Sequence, residues 1–204
     1  MRFLTEVYYL PREVFIMLYH VSPSAGLKTL QPRISTHGKA YVYAIENMVT
    51  GLLFGVRHDD FDFCISTDEN DKPTVYECYP GAFLKIYGGK SCSVYEVDEK
   101  GFQRGLTSWS PELVSEQETS VIRETAVADL AERLLEEERN GNLKLCRYEF
   151  TKEYRKKITA HVVDRIFRFQ IDLQHIMEQD ERFSGSFRGI VENLQTILDG
   201  NMLP

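Results

Sequence analysis

The chain is predicted to be an α+β fold, an antiparallel, sheet-rich body followed by helices. Three observations predict it. Short runs rich in β-branched and aromatic residues recur from Val14 to Val97, each closed by a polar or Pro/Gly turn. The gaps between these runs are mostly too short for the helix of a βαβ crossover. From Ala126 onward the apolar residues recur at three- and four-residue intervals, the period of a helix.

The elements follow in order. Met1–Glu13 is mixed and contains Pro11, so it reads as a short helix or arm. Val14–His20 is the first strand. Ser22–Leu30 holds Pro23 and Gly26 and reads as a loop with a helical turn, and Pro32–Gly38 is a polar loop. Ala40–Ile45 is a strand, and Glu46–Phe54 a short helix despite Gly51. Phe61–Ser66, Thr74–Tyr79, Phe83–Tyr87 and Ser93–Val97 read as strands. They are separated by turns at Asp68–Pro73, Pro80-Gly81, Gly88-Gly89 and Asp98–Gly101. Pro111–Glu116 is a further strand.

The later part is helical. Ala126–Asn140 carries Val127, Leu130, Ala131, Leu134 and Leu135 on one face, with Gly141 placed as a C-cap. Leu143–Phe150 reads as one more strand. Thr151–Gln179 is expected to be a single long helix with the stripe Ile158, Val162, Ile166, Phe169, Leu173. Burying each of those side chains stabilises by about 1.5–3 kcal/mol, so the stripe should pack on the sheet or on a second subunit. Ser186–Leu198 is a last helix. Residues 1–150 are thus expected to form one domain, and 151–204 a helical extension packed on it, with homodimerisation through these helices as a possible use.

Of the 204 residues 43% are hydrophobic, enough for a packed core. The net charge of −7 argues against a general nucleic-acid binder. The acidity is local: Met1–His58 is net positive, whereas Asp59–Pro80 and Ser110–Asn140 are strongly acidic. An anionic ligand is repelled less by the first segment. Cys64, Cys78, Cys92 and Cys146 form no Cys-x-x-Cys pair and read as buried reduced thiols, so no metal is expected. No run is long enough to span a membrane, and a cytoplasmic location is expected.

Three segments carry candidate chemistry. The run Phe15–His20 ends in a histidine, Gly38–Ala44 holds Tyr41 and Tyr43, and Pro111–Glu116 holds Glu112 and Glu116. Cleaving the bond between nicotinamide and ribose needs a group on the ribose hydroxyls, a flat face for the ring and a carboxylate near the developing positive charge. Histidine, tyrosine and glutamate are suited to those three tasks.

Leu18-Tyr19-His20-Val21-Ser22 resembles the first-strand motif of the poly(ADP-ribose) polymerase-like branch of the ADP-ribosyltransferase superfamily, with Val21 where that branch has glycine. Gly26-Leu27 followed by Pro32 resembles the stretch after the family histidine. Gly38-Lys39-Ala40-Tyr41-Val42-Tyr43-Ala44 is similar to the family's Gly-Lys-Gly-Ile-Tyr-Phe-Ala strand. A gapless overlay puts Val42 on the family tyrosine; Tyr43 is preferred because it keeps the aromatic beside Ala44, with Tyr41 second. Pro111–Ser115 resembles the strand that carries the family glutamate. The resemblance spans Tyr19 to Val121.

It implies a split antiparallel sheet and NAD as substrate, with no metal. It also implies catalytic roles for His20, Tyr43 and Glu112 (Glu116 as alternate), and cofactor contacts from His20, Ser22, Tyr41 and Tyr43. The acceptor, whether protein, nucleic acid or small molecule, is left open. RNA 2′-phosphotransferases of the same superfamily rely on a basic residue set absent here. A degenerate nucleotide-binding or protein-interaction module of the same fold is the alternative, as is a partner-binding surface on Thr151–Gln179.

Overall fold

The computed structural model describes residues 16–34 and 38–199. The expected arm at Met1–Glu13, the start of the Val14–His20 run, and His37 lie outside those residues. In chain order the elements open with β1 (Met17–Ser22), β2 (Thr29–Leu30), β3 (Arg33–Ile34), β4 (Ala40–Ile45) and α1 (Met48–Leu52). Next come β5 (Phe63–Thr67), β6 (Pro73–Glu77), α2 (Ala82–Tyr87) and β7 (Cys92–Asp98). Then follow β8 (Gln103–Arg104), β9 (Glu112–Ser115), β10 (Thr119–Ser120) and β11 (Arg123–Val127). The chain continues through α3 (Leu130–Arg139), β12 (Lys144–Cys146) and α4 (Lys152–Arg168). It closes with α5 (Leu173–Gln179), α6 (Glu181–Ser184), α7 (Arg188–Glu192) and α8 (Leu194–Leu198). The fold is mixed α+β with late helices, as the sequence predicts.

The main sheet has seven strands in the order β11-β7-β1-β4-β9-β8, with β3 beside β4, and its pairings are antiparallel. A second sheet, β12-β6-β5, contains one parallel pairing, β12 on β6. β2 and β10 form a separate two-stranded ribbon.

Alternation along the strands gives the main sheet two different faces. Tyr19 and Val21 of β1 and Cys92 and Val94 of β7 face the larger core, which α1, α3, α4, the second sheet, Phe183 and Phe187 complete. Leu18, Val42, Ala44, Tyr95, Val97 and Leu113 face a smaller core roofed by Leu27, Leu30, Phe102 and Val121. α1 lies tight on the sheet: a Cβ on Gly51 would stand 3.1 Å from methyls of Ile45 and Val21, so glycine is what permits this approach.

The structure departs from the sequence reading at several elements, among them the Ser22–Leu30 loop, which ends in β2 and holds no helical turn, and the Pro32–Gly38 loop, which holds β3. Phe83–Tyr87 is helix, not strand. Its first turn is capped from outside by buried Glu77, whose Oε1 accepts the Phe83 N–H at 2.8 Å. Residues 126 and 127 complete β11, and α3 begins only after Asp129, whose carboxylate accepts the Glu132 N–H at 3.0 Å. Thr151–Gln179 is two helices: Gln170 takes a positive φ of 50°, and Asp172 then caps α5. Ile158, Val162 and Ile166 are buried as the stripe requires, but Phe169, beyond the end of α4, is 49% exposed. Ser186–Leu198 is likewise divided, at Asn193. Helices α4, α6 and α7 share the larger core with the second sheet, so the extension packs on the same body.

Glu77 is a junction. Its Oε2 accepts the Tyr148 N–H at 2.9 Å, and its main-chain carbonyl accepts from the Tyr154 hydroxyl at 3.0 Å. Glu77→Ala orphans two donors and should lower the unfolding free energy by about 2–4 kcal/mol. Glu77→Gln, which keeps one acceptor, should lose less, as urea unfolding of the two variants will show.

Candidate functional site

His20 stands where the main sheet opens. β1 pairs with β7 over six residue pairs, but with β4 through the single pair Tyr19↔Ile45. Just past that pair the His20 ring takes the place of a ladder bond, with Nδ1 2.8 Å from the Tyr43 carbonyl oxygen. A carbonyl only accepts, so Nδ1 carries the hydrogen, and the neutral ring presents Nε2 as an acceptor. Burial lowers the His20 pKa from its ordinary 6.5 and outweighs the Tyr43 carbonyl, which acts in the opposite sense; the Arg33 charge adds to the lowering.

Two further side chains fall in line with His20. The registers His20↔Tyr95 and Tyr95↔Glu124 set the three on adjacent strands and on one face. The His20 and Tyr95 ring centroids are 6.2 Å apart. Tyr95 is fully buried; its hydroxyl donates to the Ser24 carbonyl at 2.6 Å, lies 3.1 Å from Glu124 Oε1 and accepts the Leu27 N–H at 3.3 Å. Glu124 Oε1 also accepts from the Gly26 N–H at 2.9 Å and the Ser93 hydroxyl at 2.8 Å. The Gly26 N–H, then the Ser93 hydroxyl, hold this carboxyl below the usual range and therefore ionised. Its Oε2 accepts no hydrogen bond among the described residues. Gly26 can donate from this position because its φ is +76°, a region open to glycine. The Ser22 hydroxyl accepts the Ser24 N–H at 3.2 Å and so helps shape the same loop.

The residues expected from the sequence divide between the two faces. Ile45 and Val21 contact α1 at Gly51, and Tyr41 and Tyr43 share the parity of Ile45. The pair Ile45↔Glu112 puts Glu112 on that face as well. His20 and Ser22 belong to the opposite face, with Leu18. The expected convergence of the His20, Tyr43 and Glu112 side chains on one cleft is therefore not met, because period-two alternation separates them. Tyr43 reaches His20 through its carbonyl, while its ring packs edge-on against Tyr41 with centroids 6.0 Å apart. Glu116 lies past the end of β9, exposed, and bonds Lys39 at 2.5 Å.

Tyr95 and Glu124 escaped the sequence reading. The run from Ser120 to Val127 holds Val121, Ile122, Thr125 and Val127, a β-branched enrichment that signals a strand, but its register against Tyr95 is not readable from it. Two other histidines are engaged elsewhere. His161 Nε2 lies 2.6 Å from the Asp60 carbonyl oxygen, and His58 stacks among Phe54, Phe63 and Tyr87. No described helix is long and apolar enough to cross a membrane.

The arrangement offers a neutral imidazole acceptor, an ionised carboxylate and hydroxyls on one face, with two strand spacings, about 10 Å, between the His20 and Glu124 backbones. Such a set suits a ligand rich in hydroxyls. The lowered His20 pKa has a measurable consequence. The unfolded chain takes up the proton first, so this contribution to stability is complete above 6.5 and is lost as pH falls below it. His161, also lowered by burial, acts in the same sense. The melting temperature should fall between about pH 6.5 and 5, and less so in His20→Gln, before carboxylates titrate. The His20 ring protons should titrate with a midpoint below 6.5; a midpoint above it would show that burial of the ring is not the dominant influence. None of the protein-family models, curated proteins or solved structures compared with this chain matches it.

Proposed function

We propose that the protein binds NAD at the opening between β1 and β4 and transfers its ADP-ribosyl group to an acceptor. The observation that carries this reading is the His20–Tyr43 carbonyl bond at the point where the β1–β4 ladder ends. It turns Nε2 into an acceptor for a ribose hydroxyl at a gap in the sheet. The order of the Tyr19–Ser22, Gly26-Leu27 and Gly38–Ala44 segments, which resembles the ADP-ribosyltransferases, supports the same reading.

On this reading the glycosidic C–N bond breaks, and nicotinamide leaves with the electron pair. The ribose carbon then carries positive charge until a nucleophile on the acceptor bonds to it and sheds its proton. The carboxylate on the His20 face is Glu124, so Glu124 takes the charge-stabilising role expected of Glu112. The Tyr43 contribution becomes its carbonyl, which orients the imidazole.

A second reading has its own support. Glu124 Oε1, the Tyr95 hydroxyl and the Ser22 hydroxyl all already fasten the loop at 23–28. A binding module with no transfer activity would need only that.

Thermal shift with NAD and ADP-ribose tests the site, since a ligand of the folded state must raise the melting temperature. Release of nicotinamide separates the two readings. For an active enzyme Glu124→Gln should slow release on the order of a hundredfold while NAD still binds, and His20→Ala should weaken binding. Glu112→Gln should leave both unchanged. Absence of any shift would remove the NAD site. Binding without release would favour the module, and loss of release in Glu112→Gln alone would restore Glu112.

A further inference from the structure

A second site lies among the later helices. A cavity of about 600 Å³ opens between α4 and the α7–α8 segment, and it shares no residue with the His20 site. Its volume is that of a small-molecule pocket. Ile158, Phe187 and Ile190, all buried, supply apolar wall. Lys152, Arg155 and Lys156 stand on the same cavity, all from the first turns of α4.

These three cations are placed against the local energetics of a helix. The N-terminal turn favours acids, and Lys152 and Lys156, four apart, repel one another. Among the described residues none of the three has an ion pair; the only polar partner of the Arg155 guanidinium is the Phe150 carbonyl at 3.1 Å. The chain carries a net charge of −7, so acids to neutralise them are not scarce. An apolar cavity with an uncompensated cationic rim is complementary to an amphiphilic anion.

We infer that this cavity binds a single-chain amphiphile, its hydrocarbon tail against Ile158, Phe187 and Ile190 and its anionic head on Lys152, Arg155 and Lys156. Gly189 lines the same cavity, and a Cβ built there meets nothing within 4 Å, so a larger side chain can enter the space without disturbing the backbone.

The test is fluorescence titration of the full chain with dansylaminoundecanoate, alongside its methyl ester and dansylglycine. Saturable binding of the long-chain carboxylate, at least about tenfold tighter than either comparison compound, is expected. Arg155→Glu with Lys156→Glu, both exposed, should weaken it on the order of tenfold or more, and Gly189→Phe should abolish it with the melting temperature held. Equal binding of the ester, unchanged binding in Gly189→Phe, or no saturable binding to the parent chain would each overturn the assignment.

Discussion

The ladder between β1 and β7 is the constraint from which the rest of the molecule follows. Its six pairs, from Met17↔Asp98 to Ser22↔Ser93, fix which residues of the two central strands face each core. Leu18, Tyr95 and Val97 go to the smaller core, and Tyr19, Val21, Cys92 and Val94 to the larger. A slip of one residue would exchange the two sets and expose each apolar row to the wrong partner. Because β11 continues the same register, His20, Tyr95 and Glu124 are aligned by the same pairing that builds the core. The site is thus set by the backbone, not by mobile loops.

That alignment also explains why polar groups are tolerated on a face with an apolar core. The Tyr95 hydroxyl and Glu124 Oε1 find partners in the loop at 23–28, the Ser93 hydroxyl finds Glu124, and His20 finds the Tyr43 carbonyl. The Tyr95 hydroxyl takes a main-chain carbonyl and a main-chain N–H, and Glu124 takes the next N–H along. Leaving such groups unpaired would cost about 1–3 kcal/mol each. The loop is therefore held by the sheet, and the β2–β10 ribbon holds its far end. Oε2 of Glu124 and Nε2 of His20, the two atoms the proposed chemistry requires, take no hydrogen bond among the described residues.

The sequence made the class of fold legible, as well as β1, β4, β9 and the buried stripe of α4, because period two and period 3.6 are visible wherever one face is buried. It did not make the helix at Phe83–Tyr87 legible. That short segment has strand-like composition, and its helical state depends on a cap from Glu77, a residue on another element. The end of α4 was missed for a different reason. Asp172 is a cap signal inside an otherwise helical pattern, and the apolar period runs on through it to Leu173. Of the site, His20 was legible because a strand-end histidine stands out. Motif likeness points to Glu112, with Glu116 as alternate, and only the register, a tertiary fact, shows that Glu124 shares the face of His20.

The later helices are joined to the body by charge as well as by apolar packing. Arg182 pairs with both carboxylate oxygens of Asp59 at 2.7 Å, and with Asp62 and Asp180. Burial opposes the charge on Arg182, but its acids prevail and hold it well above the usual range. Burial likewise pushes Asp59 up, and Arg182 more than offsets it, so the carboxyl stays below its ordinary value. Phe183, next in sequence, then packs edge-on against Phe61 at 4.8 Å. The strongly acidic segment at 59–80 is thus partly consumed in seating α6. The start of α4 differs in where its cations stand, on a cavity whose lining includes no carboxylate. The fold satisfies Arg182 with three carboxylates and leaves Lys152, Arg155 and Lys156 facing a cavity with none, a contrast that points to an anion supplied from outside the chain.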